Sequence, residues 1–143
     1  MKKVFLDSSI FFSACRSKSG GASNILMRCR KKEIQGYIST HVIFEIKKPT
    51  HLLSQKEKQR LNFLVLQFKL EIVQEPTVKE VKNATKYIKR KDAPILAAAI
   101  KSKVEYLITL DRRDFMKQTV KDYSKPTNHF KVLKSAKIYR SWI

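Results

Sequence analysis

Short apolar runs of strand length alternate along this chain with longer stretches whose apolar residues recur at helical spacing. Lys3-Val4-Phe5-Leu6 is the first run. It is continuous rather than alternating, as in a strand covered on both faces. It stops at Asp7, and Ser8 or Ser9 is placed to cap a short helical turn through Phe11 and Phe12. Gly20-Gly21 is a break. Ser23 then reads as the cap of a helix from Asn24 to about Lys32, with Ile25, Leu26 and Cys29 on one face and Arg28, Arg30, Lys31 and Lys32 outward. Gly36 to Ser39 is a second strand. Thr40 begins a helix with Val42, Ile43 and Ile46 inward, limited by Pro49. The chain is polar from Thr50 to Arg60 and leads into an amphipathic helix carrying Leu61, Leu64, Val65 and Phe68. Leu70 to Val73 alternates as a third strand, and Thr77 caps a helix holding Val78, Val81, Ala84 and Ile88. An alanine-rich helix runs from Ala93 to Lys101, and Tyr106 to Leu110 is the clearest buried strand. A short strand at Phe130 to Leu133 and a helix over about 134–143, through Ile138 and Trp142, close the chain.

Strands separated by helices predict an α/β fold, with a central parallel sheet covered by helices on both faces. No internal repeat and no long linker divides the 143 residues, so one domain over 1–143 is expected. No apolar run approaches the length of a membrane span; the longest is Ile95 to Ile100. The start, Met1-Lys2-Lys3 before Val4-Phe5-Leu6, has the flavour of an export signal, but Asp7-Ser8-Ser9 interrupts the apolar stretch such a signal needs. Two cysteines, Cys15 and Cys29, are too few for a disulfide scaffold and lack zinc-site spacing, so a reduced, cytoplasmic setting is expected.

Charge changes the picture most. Lys and Arg number 31 against 12 Asp and Glu, a formal net charge of +19. So basic a surface favours a polyanion, nucleic acid above all. Against that background, five of the few acids fall where an α/β sheet places its chemistry. Asp7 ends the first strand, and Asp111 and Asp114 follow the strand at Tyr106 to Leu110. Asp92 opens the alanine-rich helix, and Glu45 interrupts the apolar sequence Val42-Ile43-Phe44-Glu45-Ile46. Carboxylates converging on one cleft repel each other, and a divalent cation relieves that repulsion. Oxygen ligands without Cys or His suit Mg²⁺ or Mn²⁺, which activate water and offset charge on a phosphodiester. Each acid also has a plainer role. Asp7, Asp92 or Asp111 can cap a helix, Asp114 can pair with a nearby Arg, and Glu45 can contact His41 one turn earlier.

Four segments in series resemble the PIN-domain family, which includes the VapC-type toxins of toxin–antitoxin pairs. They are Val4-Phe5-Leu6-Asp7-Ser8-Ser9, Ser39 to Ile46 with Glu45, Lys91 to Ala99 with Asp92, and Leu107 to Phe115 with Asp111 and Asp114. The resemblance runs from Met1 to about Leu133. It implies a three-layer Rossmann-like fold and a metal-dependent ribonuclease acting on RNA, usually single-stranded. It carries Asp7, Glu45, Asp92 and Asp111 over as a quartet for catalysis and for Mg²⁺ or Mn²⁺. Asp114 is a fifth candidate, since some members use the later Asp. Ser9 and Thr109 match polar family positions beside the metal. An antitoxin partner and homodimerisation are common family properties, and no membrane role is expected. A net charge of +19 is high for such a toxin and leaves RNA processing or ribosome assembly open.

Lys89-Arg90-Lys91 directly precedes Asp92, and Arg112-Arg113 directly follows Asp111. Both groups are expected at the cleft mouth, holding RNA backbone without reading its sequence. Phe11, Phe12 and Phe115 are expected in the core, and His41 at the surface or at a cap. Two rivals stand beside the ribonuclease: a non-catalytic RNA-binding or assembly factor, and a structure-specific DNA nuclease.

Overall fold

In a computed structural model of the protein, residues 1–48, 53–110 and 131–133 are described. The elements are β1 (Lys2–Leu6), α1 (Ser8–Arg16), α2 (Gly21–Arg30), β2 (Ile34–Ile38), α3 (Thr40–Lys47), α4 (Gln55–Gln67), β3 (Glu71–Ile72), α5 (Val78–Ala84), α6 (Ala93–Ser102), β4 (Tyr106–Ile108) and β5 (Lys131–Leu133). The strands form one sheet in the order β3-β2-β1-β4-β5. Every pairing is parallel, with Val4 opposite both Gly36 and Tyr106. The parallel α/β architecture expected from the alternation is the one observed.

The strand order explains the layering. From β1 the chain steps one way to β2 and β3, then crosses back over β1 to β4 and β5. Crossovers of one hand therefore put the early helices on one face and the later ones on the other. Consistent with this, α1 packs on α2 and α4, while α5 packs on α6. α3 touches both α1 and α6. β1 lies at the centre, and Val4, Phe5 and Leu6 are fully enclosed, which is why that run is apolar without alternation. Phe11, Ile25, Leu26, Leu96 and Leu107 complete the middle of the core. Each contributes about 1.5–3 kcal/mol by leaving water. Phe12 packs against this core partly buried.

Gly36 in β2 is where two layers approach closely. A Cβ there would lie 2.5 Å from Leu70 Cδ2 and 2.9 Å from Cys29 Sγ, closer than atoms tolerate. Cys29 is enclosed at the same spot, and burial pushes its thiol up to about 12.

Several boundaries differ from the sequence reading. α1 is capped by Asp7 rather than Ser8 or Ser9 and continues to Arg16. α2 starts at Gly21 with Gly20 at its N-cap. Ser23, expected to cap it, is buried one turn inside and donates hydrogen bonds to the carbonyls of Ala14 and Ser17. α4 begins at Gln55, inside the stretch read as polar. There Ser54 and Glu57 form a reciprocal capping box. Val78, in the helix after Thr77, is 87% exposed. Pro49, Phe115 and the expected C-terminal helix at about 134–143 lie outside the described residues. Among the described residues no helix is long and apolar enough to cross a membrane.

Candidate active site

Parallel strands end together, so residues just past their C-termini share one edge of the sheet. In open α/β sheets, ligands bind where the strand order reverses direction, here between β1 and β4. Asp7 follows β1 and Thr109 follows β4 at that point. The two are buried and joined: the Thr109 hydroxyl donates to Asp7 Oδ2 at 2.8 Å. Ser9 Oγ donates to the same oxygen at 2.9 Å and accepts the Leu110 N–H at 3.1 Å. The Ser8 N–H donates to Asp7 Oδ1 at 2.8 Å. Asp7 therefore does cap α1, while its second oxygen is held from the neighbouring strand. Four donors fix a carboxylate that is only 4% exposed.

Glu45 arrives from α3, which starts where β2 ends. Its N-cap Ser39 is buried and accepts the Val42 N–H at 3.2 Å, which sets the direction of the helix. Glu45 is half-buried. Burial first, and then the charge of Asp7, raise its carboxyl above the ordinary carboxylate range; Ser8, Lys91 and Lys48 oppose the shift. The Ser8 hydroxyl lies between the two acids, 3.4 Å from Asp7 Oδ1 and 3.4 Å from Glu45 Oε1. Ser8 is thus a site residue that the sequence reading took only as a cap. Its one signal was its place beside Asp7. His41 Nε2 is 3.8 Å from Glu45 Oε1, the contact expected from their i,i+4 spacing. Burial lowers the His41 pKa, so near neutral pH the ring is largely uncharged and the contact is not an ion pair.

Asp92 stands at the start of α6, which enters from this same edge. It has a good capping position, yet its carboxylate does not cap. The Asp92 backbone is helical (φ −97°, ψ −11°), whereas Ser39, Ser54 and Thr77, which all cap, are extended with ψ near 160°. A cap side chain reaches back to the first turn only from the extended region. The buried Asp92 carboxylate is therefore directed elsewhere. Lys91 ties this corner to α3, since its backbone bonds to His41 and its charge acts on Glu45.

Asp7 and Glu45 are thus brought together, with Asp92 on the adjoining helix start. Among the described residues, no three acids, histidines or cysteines are close enough to hold an ion. Asp111, Asp114, Arg112 and Arg113 lie outside the described residues. Lys89, Arg90 and Lys91 are all exposed. Lys89 and Arg90 line a cleft of about 930 Å³ between the start of α3 and α5, together with Ser39, His41, Val81 and Ile88.

A family model described as the PIN domain matches residues 3–113. The chain belongs to the PIN-domain family. Members of that family are nucleases. The fold of this PIN domain is similar to a chain in the crystal structure of VapBC2 from Rickettsia felis bound to a DNA fragment from their promoter. The TM-score is 0.63 at 14% identity, over 92% of this chain and 98% of that one. It is also similar to PAE2754 from Pyrobaculum aerophilum, with a TM-score of 0.60 at 15% identity, over 96% and 93%. At these identities the likeness is one of fold. No protein of curated function matches it in sequence.

Proposed function

We propose that this PIN domain is a divalent-metal-dependent endoribonuclease acting on single-stranded RNA. The observation that carries the reading is the convergence of Asp7 and Glu45 beside the buried Asp92 at the β1/β4 switch point. Burial, and after it the charge of Asp7, makes Glu45 retain its proton to higher pH than an ordinary carboxyl. An all-oxygen donor set under such repulsion suits Mg²⁺ or Mn²⁺. Asp7 and Glu45 would offer the ion its first oxygens, Asp92 and Asp111 or Asp114 would have to draw in to complete the set, and the ion would supply activated water and charge neutralisation on the phosphodiester.

The protein's own residues do the rest. Ser9 and Thr109 lock the Asp7 carboxylate so that it does not swing when substrate enters. The Ser8 hydroxyl spaces Asp7 from Glu45. Lys89, Arg90 and Lys91, with Arg112 and Arg113, bind the RNA backbone at the cleft mouth without reading bases. The fold likeness to VapBC2 supports a toxin–antitoxin role, in which a partner protein restrains the nuclease.

The test is incubation of the purified protein with mixed single-stranded RNA in Mn²⁺ or in EDTA, beside Asp7→Asn and Asp92→Asn variants. Cleavage should require the metal and both acids, and the variants should still bind RNA. Full activity in either variant would overturn the mechanism. Matched DNA substrates separate a ribonuclease from a DNA nuclease, because only RNA carries the 2′-hydroxyl. Tight, salt-sensitive binding with no product would favour a binding factor.

A further inference from the structure

The acid cleft uses few of the chain's basic residues, and many of the others collect at the opposite end of the sheet. Among the described residues, three that are not glycine have a left-handed backbone: Lys32 (φ 62°), Lys69 (φ 46°) and Lys103 (φ 56°). All three are lysines. Each sits in a connection from a helix to a strand, at or just after the helix end: α2 to β2, α4 to β3, and α6 to β4. Lys32 occupies the position after the C-cap in a complete Schellman motif, with Lys32 N–H bonded to Cys29 O and Glu33 N–H to Arg28 O. Glycine is the ordinary residue there, because a side chain strains the left-handed region. At three helix ends, at the C-cap or one residue after it, this sequence carries an exposed cation instead.

The parallel sheet turns these connections toward one end, with the strand starts staggered: Glu71 opens β3 opposite Tyr37, and Tyr106 opens β4 opposite Val4. The N-terminal ends of the strands lie on one edge, the one remote from Asp7. Across the strands β3, β2, β1 and β4 that edge presents Lys69, Lys32, Lys2 and Lys3, and then Lys103. Four strands spaced about 4.8 Å apart make a band about 14 Å long. Among the described residues, three acids share the edge and each is engaged: Glu33 lies 3.9 Å from Arg28, Glu105 accepts the Lys3 N–H at 3.4 Å, and Glu71 is hydrogen-bonded to the Tyr37 side chain. Lys2 Nζ lies over the Tyr106 ring, which holds one cation in place.

We propose that this edge is a second RNA-binding face, which grips the sugar–phosphate backbone of the substrate RNA away from the cleavage site. A narrow band of cations drawn from successive strands can follow the phosphates of a linear polyanion. The proposal rests on the ribonuclease reading for the identity of the polyanion. Its test requires binding only.

The test exploits the backbone. Replacing Lys32, Lys69 and Lys103 together by glycine removes three charges and relieves three strained positions. Melting at or above the parent's temperature shows that the variant is folded, and the same triple replacement by asparagine, which also tolerates this conformation, controls for added flexibility. Binding of a long single-stranded RNA is measured in EDTA over a range of KCl concentrations. Each phosphate that a lysine no longer neutralises lowers the slope of log affinity against log salt by about 0.7. The slope should therefore become shallower by about 2, and affinity at 0.1 M salt should fall by about tenfold or more. An unchanged slope and affinity would overturn the proposal. So would loss of binding to phosphatidylserine vesicles with RNA binding intact, which would assign the edge to a membrane. Because metal and cleavage are not involved, failure here leaves the nuclease reading standing, and failure of the cleavage assay leaves this result interpretable.

Discussion

Replacing Thr109 by valine tests the architecture of the acid site directly, because it keeps the side-chain shape and removes a single donor. Thr109 is fully buried, and its hydroxyl lies 2.8 Å from Asp7 Oδ2. A hydrogen bond to a charged group contributes about 1.5–3 kcal/mol. Water cannot replace the donor at a carboxylate only 4% exposed, but Ser9 still donates to the same oxygen at 2.9 Å. The expected loss is therefore in the middle of that range, about 2 kcal/mol. At about 4 °C per kcal/mol for a chain of this length, Tm should fall by about 8 °C. Thr109→Ser retains the hydroxyl and loses one methyl, so it should cost only about 1 kcal/mol. Urea denaturation of both variants, alone and combined with Asp7→Asn, gives the coupling between positions 7 and 109. That coupling should exceed about 1 kcal/mol, since it isolates the charge-assisted bond. If Thr109→Val is no more destabilising than Thr109→Ser, or the coupling falls within about 0.3 kcal/mol of zero, the account of Asp7 as a carboxylate braced from β4 is wrong.

Gly36→Ala should destabilise by about 1–3 kcal/mol through overpacking, and Leu70→Ala in the same chain should recover part of the loss, both read by urea denaturation. Glu80 accepts hydrogen bonds from Lys101 at 2.8 Å and from the Thr77 cap, which lower its carboxyl to about 2. A depressed acid stabilises the fold above its unfolded value of about 4.5 and loses that contribution as pH falls toward 2. Melting curves of the parent and Lys101→Gln should therefore differ at pH 6 and converge near pH 2. At the acid site the sign is opposite. Glu45 holds its proton to higher pH than an ordinary carboxyl, so Mn²⁺ must displace it, and calorimetry should show affinity rising with pH until Glu45 is ionised. The same titration in Glu45→Gln should be weaker and flatter.

The parts of this protein that were legible in sequence are those in which one local pattern had one physical meaning. Val4-Phe5-Leu6 ending at Asp7 reads as a central strand with an acid at its tip, because no other element buries three consecutive apolar residues so briefly. The helix at Ala93 was equally clear, with proline in its first turn and an unbroken small apolar face. Ser23 misled because serine serves as a cap and as a buried hydroxyl with equal ease, and only packing against Ala14 and Ser17 decides. The start of α4 was hidden because its first turns, Gln55 to Arg60, carry no apolar residue. The capping box of Ser54 and Glu57 was the signal that could have found it. Asp92 looked like an ordinary cap, and only its backbone angles show that the carboxylate does not perform that task. Ser9 and Thr109 were placed near the acids by resemblance. Thr109's grip on one oxygen of Asp7 depends on the pairing of β1 with β4, which no local pattern contains.

That pairing also sets when the site comes into being. Asp7 and Thr109 are 102 positions apart. At a synthesis rate of about 5–20 residues per second, the acid waits roughly 5–20 s for the hydroxyl that braces it. Throughout that interval the nascent chain can form β1, α1 and β2, but β1 still lacks its neighbour on the β4 side. The acid is thus among the first residues made and the last to be fixed, so the emerging polypeptide cannot present a braced cleft before nearly the whole sheet has been translated.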